Sequence, residues 1–374
     1  MTLDKRLVLS FVCSLALLVT GCGKSSSGPS YGEWTLKDSL QLTETLRVSE
    51  TEDFFFGTTT TVDVTSKGRI VVADRKAKNL KVLRPDGTLL DTLGGPGEGP
   101  GEFQAVAQVR VARGDSLYAY DLRQSRLTVF GPKAPYSVAR IVSVPRDQGF
   151  VTQLFVLENR LIGRFGGGLG PPEEGVQTPN PNTWRVIGED GSPSDSLFQA
   201  QRGKFAIAKV NGGFRPRPLP FRRSTRVYDG PDSRLYHGWT DSLHIQAHTV
   251  DGRSEVVASV PTDPVPVTEA DRDSALSDVD DGMRSMVASA LPDTKPAFTD
   301  LVVGDNGRLW VRRPAEEPDP DIRSWWVLNP DQKTIRTVRL PTDVELHVVK
   351  DGKAYGTTRT EMGAPAVVRY QIES

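Results

Sequence analysis

The chain has 374 residues, 46 of them Lys or Arg and 47 Asp or Glu, for a formal net charge of −1 at pH 7. That balance excludes a strongly basic surface of the kind that holds nucleic acid or an anionic lipid sheet. Roughly 340 residues follow the N-terminal leader and its polar tether, more than most single globular cores hold unless the fold is a closed array of similar sheets.

Lys5 and Arg6 open the chain, and Leu7–Val19 is an apolar run too short for a confident membrane span. It ends Val19-Thr20-Gly21-Cys22, which resembles a bacterial lipoprotein signal. That resemblance implies cleavage after residue 21 and a lipid on Cys22, with 22–33 a flexible, Ser-rich tether. Cys13 falls in the discarded segment, so the mature chain keeps one cysteine and forms no internal disulfide.

From Thr59 onward a four-strand unit recurs, with Gly- and Asp-bearing turns between β-branched and aromatic runs. The first copy spans Val62–Leu93, with turns at Ser66-Lys67-Gly68 and Pro85-Asp86-Gly87. A glycine-rich stretch follows, Gly94 to Phe103. It lacks the Lys-Ser/Thr pair and helix of a phosphate-cradling loop. It therefore reads as a crossing from the outer strand of one small sheet to the inner strand of the next, with Phe103 wedged between them. The further copies span Val106–Val144, Gln153–Gln199, Thr225–Val260 and Asp300–Leu340. The sixth offers only Val344–Val349, Ala354–Thr358 and Ala366–Ile372. Its missing strand is supplied by Leu36–Val48, which closes a ring of six sheets over 34–374.

Three features carry a family resemblance: Gly97–Phe103, the strand ends at Asp74 and Asp121, and the Gly307–Val311 run. They are similar to those of bacterial six-bladed, NHL-type β-propeller lipoproteins. The expected fold is an all-β, six-bladed propeller with one helical insertion at 262–299. The resemblance says nothing of activity.

Propeller strands alternate in direction, so second-to-third strand loops and blade crossings open on one face. The long segments all fall there: Ser49–Thr58, Gly94–Ala105, Gly166–Asn182, Arg202–Ser224, Thr262–Thr299, Arg313–Arg323 and Arg359–Ala364. The opposite face carries tight turns. Long loops on a rigid scaffold are where binding resides, and the closing strand would hang Cys22 from the plain side.

Within 262–299, Thr268 and Asp271 approximate a capping box before a helix with apolar residues Leu276 through Ala290. It reads as a lid on the channel or an ornament on the rim. Asp278–Gly282 hints at calcium, but the glycine comes early and Ser289 replaces the closing glutamate. No other cofactor is expected. Arg215, Arg217, Arg222, Arg223 and Arg226 cluster with phenylalanines on the elaborated face. They are candidates for binding carboxylate or phosphate, or for pairing with the acidic helix. His244 and His248 are too far apart along one strand to share a metal, about 13 Å at strand rise. Asp74 and Asp121 recur at equivalent positions and read as turn-satisfying. Trp310, Trp325 and Trp326 read as core, with Trp326 the more buried of its pair. No nucleophile elbow is present. The expectation is a monomeric, lipid-anchored envelope module, in the periplasm or at the outer membrane. It would bind a protein, peptide or glycan and no nucleic acid, and would touch the membrane through its anchor alone. The alternative is a metal-dependent hydrolase or lyase with its site in the channel.

Overall fold

The repeated short strands form six antiparallel sheets of four, the blades of a six-bladed β-propeller. The computed structural model describes residues 33–51, 54–147, 149–166, 168, 170, 173–210, 212–314, 319 and 321–373. Cys22 and the leader lie outside the described residues.

Blade 1 comprises Thr59–Val64, Ile70–Asp74, Asn79–Leu83 and Leu89–Leu93. Blade 2 comprises Val106–Val111, Leu117–Asp121, Arg126–Phe130 and Val138–Ser143. Phe150–Leu157, Arg160–Gly166, Asn182–Ile187 and Pro193–Ala200 make blade 3. Blade 4 has Thr225–Asp229, Arg234–Trp239, Leu243–Thr249 and Ser254–Val260. Blade 5 has Asp300–Val303, Leu309–Arg312, Ile322–Asn329 and Thr334–Pro341. Glu345–Lys350, Lys353–Arg359 and Pro365–Glu373 form blade 6, completed by Gln41–Val48 from the other end of the chain. Each first strand lies against the first strand of the next blade, and that of blade 6 against that of blade 1. The ring is closed.

Stacking covers both faces of every sheet, so the second strands of blades 1 and 2 are buried at every position. Each of the six gaps between blades holds its own apolar cluster. The Gly94–Phe103 crossing is as expected. Phe103 is fully buried between blades 1 and 2. Gly94 takes φ +82°, and a Cβ there would strike the Phe103 ring. Arg126 of blade 2 ties the loop down through the carbonyls of Glu98, Gly99 and Glu102.

Side chains stitch the inner strands together. Thr61 Oγ1 accepts from Val109 N and Asp63 Oδ2 from Val111 N, both at 2.8 Å. Gln108 pairs by both ends of its amide with the Leu154 backbone. Lys350 Nζ donates to Val64 O across the closing seam at 3.0 Å.

Four expectations need correction. The N-terminal segment is not one strand on one blade. Thr35–Leu36 runs parallel on the outer edge of blade 5, and only Gln41–Val48 pairs with blade 6. Trp34 Nε1 also reaches Ser259 O of blade 4 at 2.8 Å, so one short stretch staples three blades. Trp325, not Trp326, is the buried member of its pair, at 1 % exposure. The 325 position faces Trp310 and Val338 in the blade 5–6 gap, while Trp326 carries Arg313 on its ring, 4.5 Å from the centroid. The single helix is two, α1 (Glu269–Ser277) and α2 (Asp281–Ser289). Asp278 stands at the C-cap of α1 and Asp280 at the N-cap of α2, and Val279 between them is buried. The capping box at Thr268 and Asp271 is present. Finally, two segments read as loops contain an accessory sheet: Gly175–Gln177, Phe205–Val210 and Gly213–Pro218. Ala206, Ala208 and Leu219 pack with Met283 and Val287 of α2 as a seventh, separate core.

Candidate functional site at the mouth of the central channel

Inner strands begin on the loop-rich face, and their opening residues surround a cavity of about 520 Å³. Every blade contributes a wall, among them Thr60, Gln108, Gln153, Arg226, Asp300 and Glu345. Deeper in, Arg110 Nη2 lies 3.6 Å from Asp229 Oδ1. Tyr228 reaches across the channel to donate to the His347 carbonyl. Burial pushes the Asp63 carboxyl up to about 6, partly offset by Arg110 and by the Val111 N–H. His347 is pushed down to about 4 by burial and by Arg110.

A second cavity, about 450 Å³, opens beside the mouth between blades 3 and 4. It shares Thr152, Arg164, Thr225 and Arg226 with the channel. The rest of its wall comes from blade 3, with Phe150 and Asn182, and from the crossing to blade 4, with Gln201, Arg202, Phe205 and Arg222. Gly203 allows the close approach: a Cβ there would meet Arg223 O at 2.4 Å and Arg222 Cδ at 2.7 Å. Arg222 lies over the Phe205 ring at 4.4 Å and Arg202 at 5.7 Å.

The charge around this cavity is one-sided. Arg164 donates to Thr152 Oγ1 at 2.9 Å and Arg226 to Thr299 O at 2.6 Å. Arg222 reaches only the Lys204 carbonyl, at 3.5 Å. Among the described residues, none of these three forms an ion pair with a carboxylate. Desolvation, with Arg202 and Arg226 nearby, pushes the Arg164 guanidinium down to about 10. Desolvation likewise lowers Arg222, together with Arg226 and Arg202, and it lowers Arg226, where Arg312 adds to it and Asp300 opposes. The nearby acids line the channel and not this cavity, with Asp300 3.8 Å from Arg312. Glu345 is raised by desolvation and by Asp300.

The five arginines singled out from the sequence therefore divide. Arg215 pairs with Asp280 at 3.3 Å, and Arg217 donates to Asp278 O at 2.9 Å. These two tie the accessory hairpin to the break between the helices, in the acid run that hinted at calcium. Arg223 clamps Asp241 of the blade 4 turn and both oxygens of Thr294. Arg222 and Arg226 face the cavity. Arg164 was not among the candidates. It sits on the second strand of blade 3, on the same sheet face as Ile162, which packs toward blade 4. Alternation along that strand was the available signal. Neither α1 nor α2 supplies a wall to either cavity; α2 packs on the accessory hairpin.

Among the described residues, no three His, Cys, Asp or Glu converge as a metal site. His248 Nε2 approaches His237 Nδ1 at 3.4 Å, and Phe198 stacks on His248 at 4.1 Å and on Trp184 at 4.7 Å. This pair, missed from the sequence, is packed in the gap between blades 3 and 4. Desolvation and its histidine neighbours push His237 down to about 4.

Comparison with known proteins agrees on architecture. A family model described as a 6-bladed beta-propeller matches residues 28–137. An exported protein of Bacteroides fragilis, so described, shares 11% identity, with a TM-score of 0.57 over 91% of this chain and 99% of that one. A Bacteroides vulgatus member of the duf4221 family shares 11%, with a TM-score of 0.51 over 90% and 99%. No curated protein matches the sequence.

Proposed function

We propose that this propeller is a binding module of the bacterial cell envelope, holding its ligand at the channel mouth on the loop-rich face. The observation that carries the reading is the cavity walled by all six inner strands and continued between blades 3 and 4. Its combined size suits a small molecule or the end of a peptide or glycan, on a scaffold whose inner strands are rigidly stitched. Export is supported by the leader and by the description of the Bacteroides fragilis relative. A lipid on Cys22 would tether the chain to a membrane.

The test is photo-cross-linking in living cells. A reactive residue is placed at Phe55 or Met362, both exposed on the loop-rich side, or at Asp86 or Asp251 in plain-face turns. Adducts should form from the loop-rich positions. Adducts confined to Asp86 and Asp251 would overturn the proposal.

A further inference from the structure

The cavity between blades 3 and 4 has a chemistry that its neighbours leave unanswered. Folding has gathered Arg164, Arg222 and Arg226, with Arg202 beside them, around one space. Like charges in a confined, partly dry site raise the free energy of the fold. A purely structural arrangement would place carboxylates among them, as it does for the exposed Arg215 and the half-buried Arg223. For Arg164, Arg222 and Arg226 the partners are a hydroxyl and backbone carbonyls. The phenyl ring of Phe205 carries Arg222 and Arg202, holding two guanidinium planes in place before any ligand arrives. Gln201, Ser224 and Asn182 add neutral hydrogen-bonding groups to the same walls.

We propose that Arg164, Arg222 and Arg226 form an oxyanion subsite for a ligand carrying at least two negative charges, phosphate or carboxylate. Planar guanidinium forks suit both groups bidentately. Three of them around one cavity exceed what a single charge requires. The lowered affinity of these guanidinium groups for protons agrees with a site built without its counter-charge. The subsite opens into the channel through Thr152 and Thr225, so the rest of the ligand would extend toward Gln153 and Glu345. The inference rests on the loop-rich face being the binding face and specifies which part of it holds charge.

The experiment is calorimetric titration of the full chain, purified in mild detergent, with pyrophosphate and separately with citrate at low ionic strength. Saturable binding of either supports the subsite, and the tighter of the two identifies phosphate or carboxylate as the favoured group. Arg222→Gln and Arg226→Gln should each weaken binding about tenfold or more. Arg253→Gln, on an exposed plain-face turn, should leave it unchanged. Without ligand, Arg222→Gln should raise Tm, because it removes one of the crowded charges, and the variant should lose the ligand-induced rise. No saturable binding of either anion, equal weakening by Arg253→Gln, or a lower ligand-free Tm for Arg222→Gln would overturn the inference. Loop-rich cross-links without anion binding would sink the subsite and leave the binding face standing. Anion binding with plain-face cross-links would do the reverse.

Discussion

At the scale of single residues, Asp74 and Asp121 show how equivalent positions come to differ. Asp121 accepts from four backbone N–H groups, those of Gln104, Ala105, Arg123 and Gln124. Asp74 accepts from Gly57, Thr58 and Ala77 and also holds Lys81 Nζ at 3.0 Å, with both side chains almost wholly buried. Replacing Asp121 by Ala strands polar backbone and should cost about 1–3 kcal/mol. Asp74→Ala additionally leaves a buried ammonium and should cost about 3–5 kcal/mol. Urea unfolding of the two variants checks the order; an equal loss would contradict it. The histidines make a second prediction. His237 and His347 titrate near 4 in the fold and near 6.5 when unfolded. The unfolded chain therefore binds more protons between those values, and stability should fall as pH drops from about 6.5 to about 4. Asp63, raised to about 6, acts oppositely, losing stability as pH rises from about 4 to about 6. Thermal unfolding across this range should show a flatter pH slope in His237→Gln and a steeper one in Asp63→Asn.

Elements divide into those written in local pattern and those that needed a partner. The blades were legible because each repeats the same alternation between Gly- and Asp-bearing turns, and Phe103 because its glycine run has no other use. The accessory sheet was not. Phe205–Val210 pairs with Gly175–Gln177 across the whole outer half of blade 3, and no local period announces that pairing. The helix break escaped for a similar reason: Val279 is buried by the hairpin, a tertiary contact that overrides a continuous helical spacing. Trp325 and Trp326 alternate on one strand, so sequence offered two faces and no means to choose between them. The accessory core predicts separable stability. Val287→Ala removes a fully buried side chain from a small cluster apart from the blade gaps and should cost about 1–3 kcal/mol. Hydrogen exchange should then accelerate in 205–218 and 269–289 while the blades keep their protection. Uniform acceleration would mean that the accessory unit and the ring unfold together.

At the scale of the molecule, closure does two things at once. Gln41–Val48 completes blade 6, which joins the two ends of the chain in one sheet, closes the ring and fixes the spacing of six inner strands. That spacing sets the mouth, and the alternation of strand direction sends the long segments to the same side. Arg222 was recognisable as one of a basic cluster. Its separation from Arg215 and Arg223 required knowing where Asp280 and Asp241 lie. Charge density in sequence thus grouped Arg222 and Arg226 with three arginines engaged elsewhere and left out Arg164. The claim that this face holds the ligand is tested most directly by hydrogen exchange of the full chain with and without saturating pyrophosphate. Slower exchange is expected along the blade 3 inner hairpin, 150–166, and through 201–205 and 222–228, with plain-face turns such as 113–116 and 251–254 unchanged. Protection of those plain-face turns in place of the mouth would contradict the account.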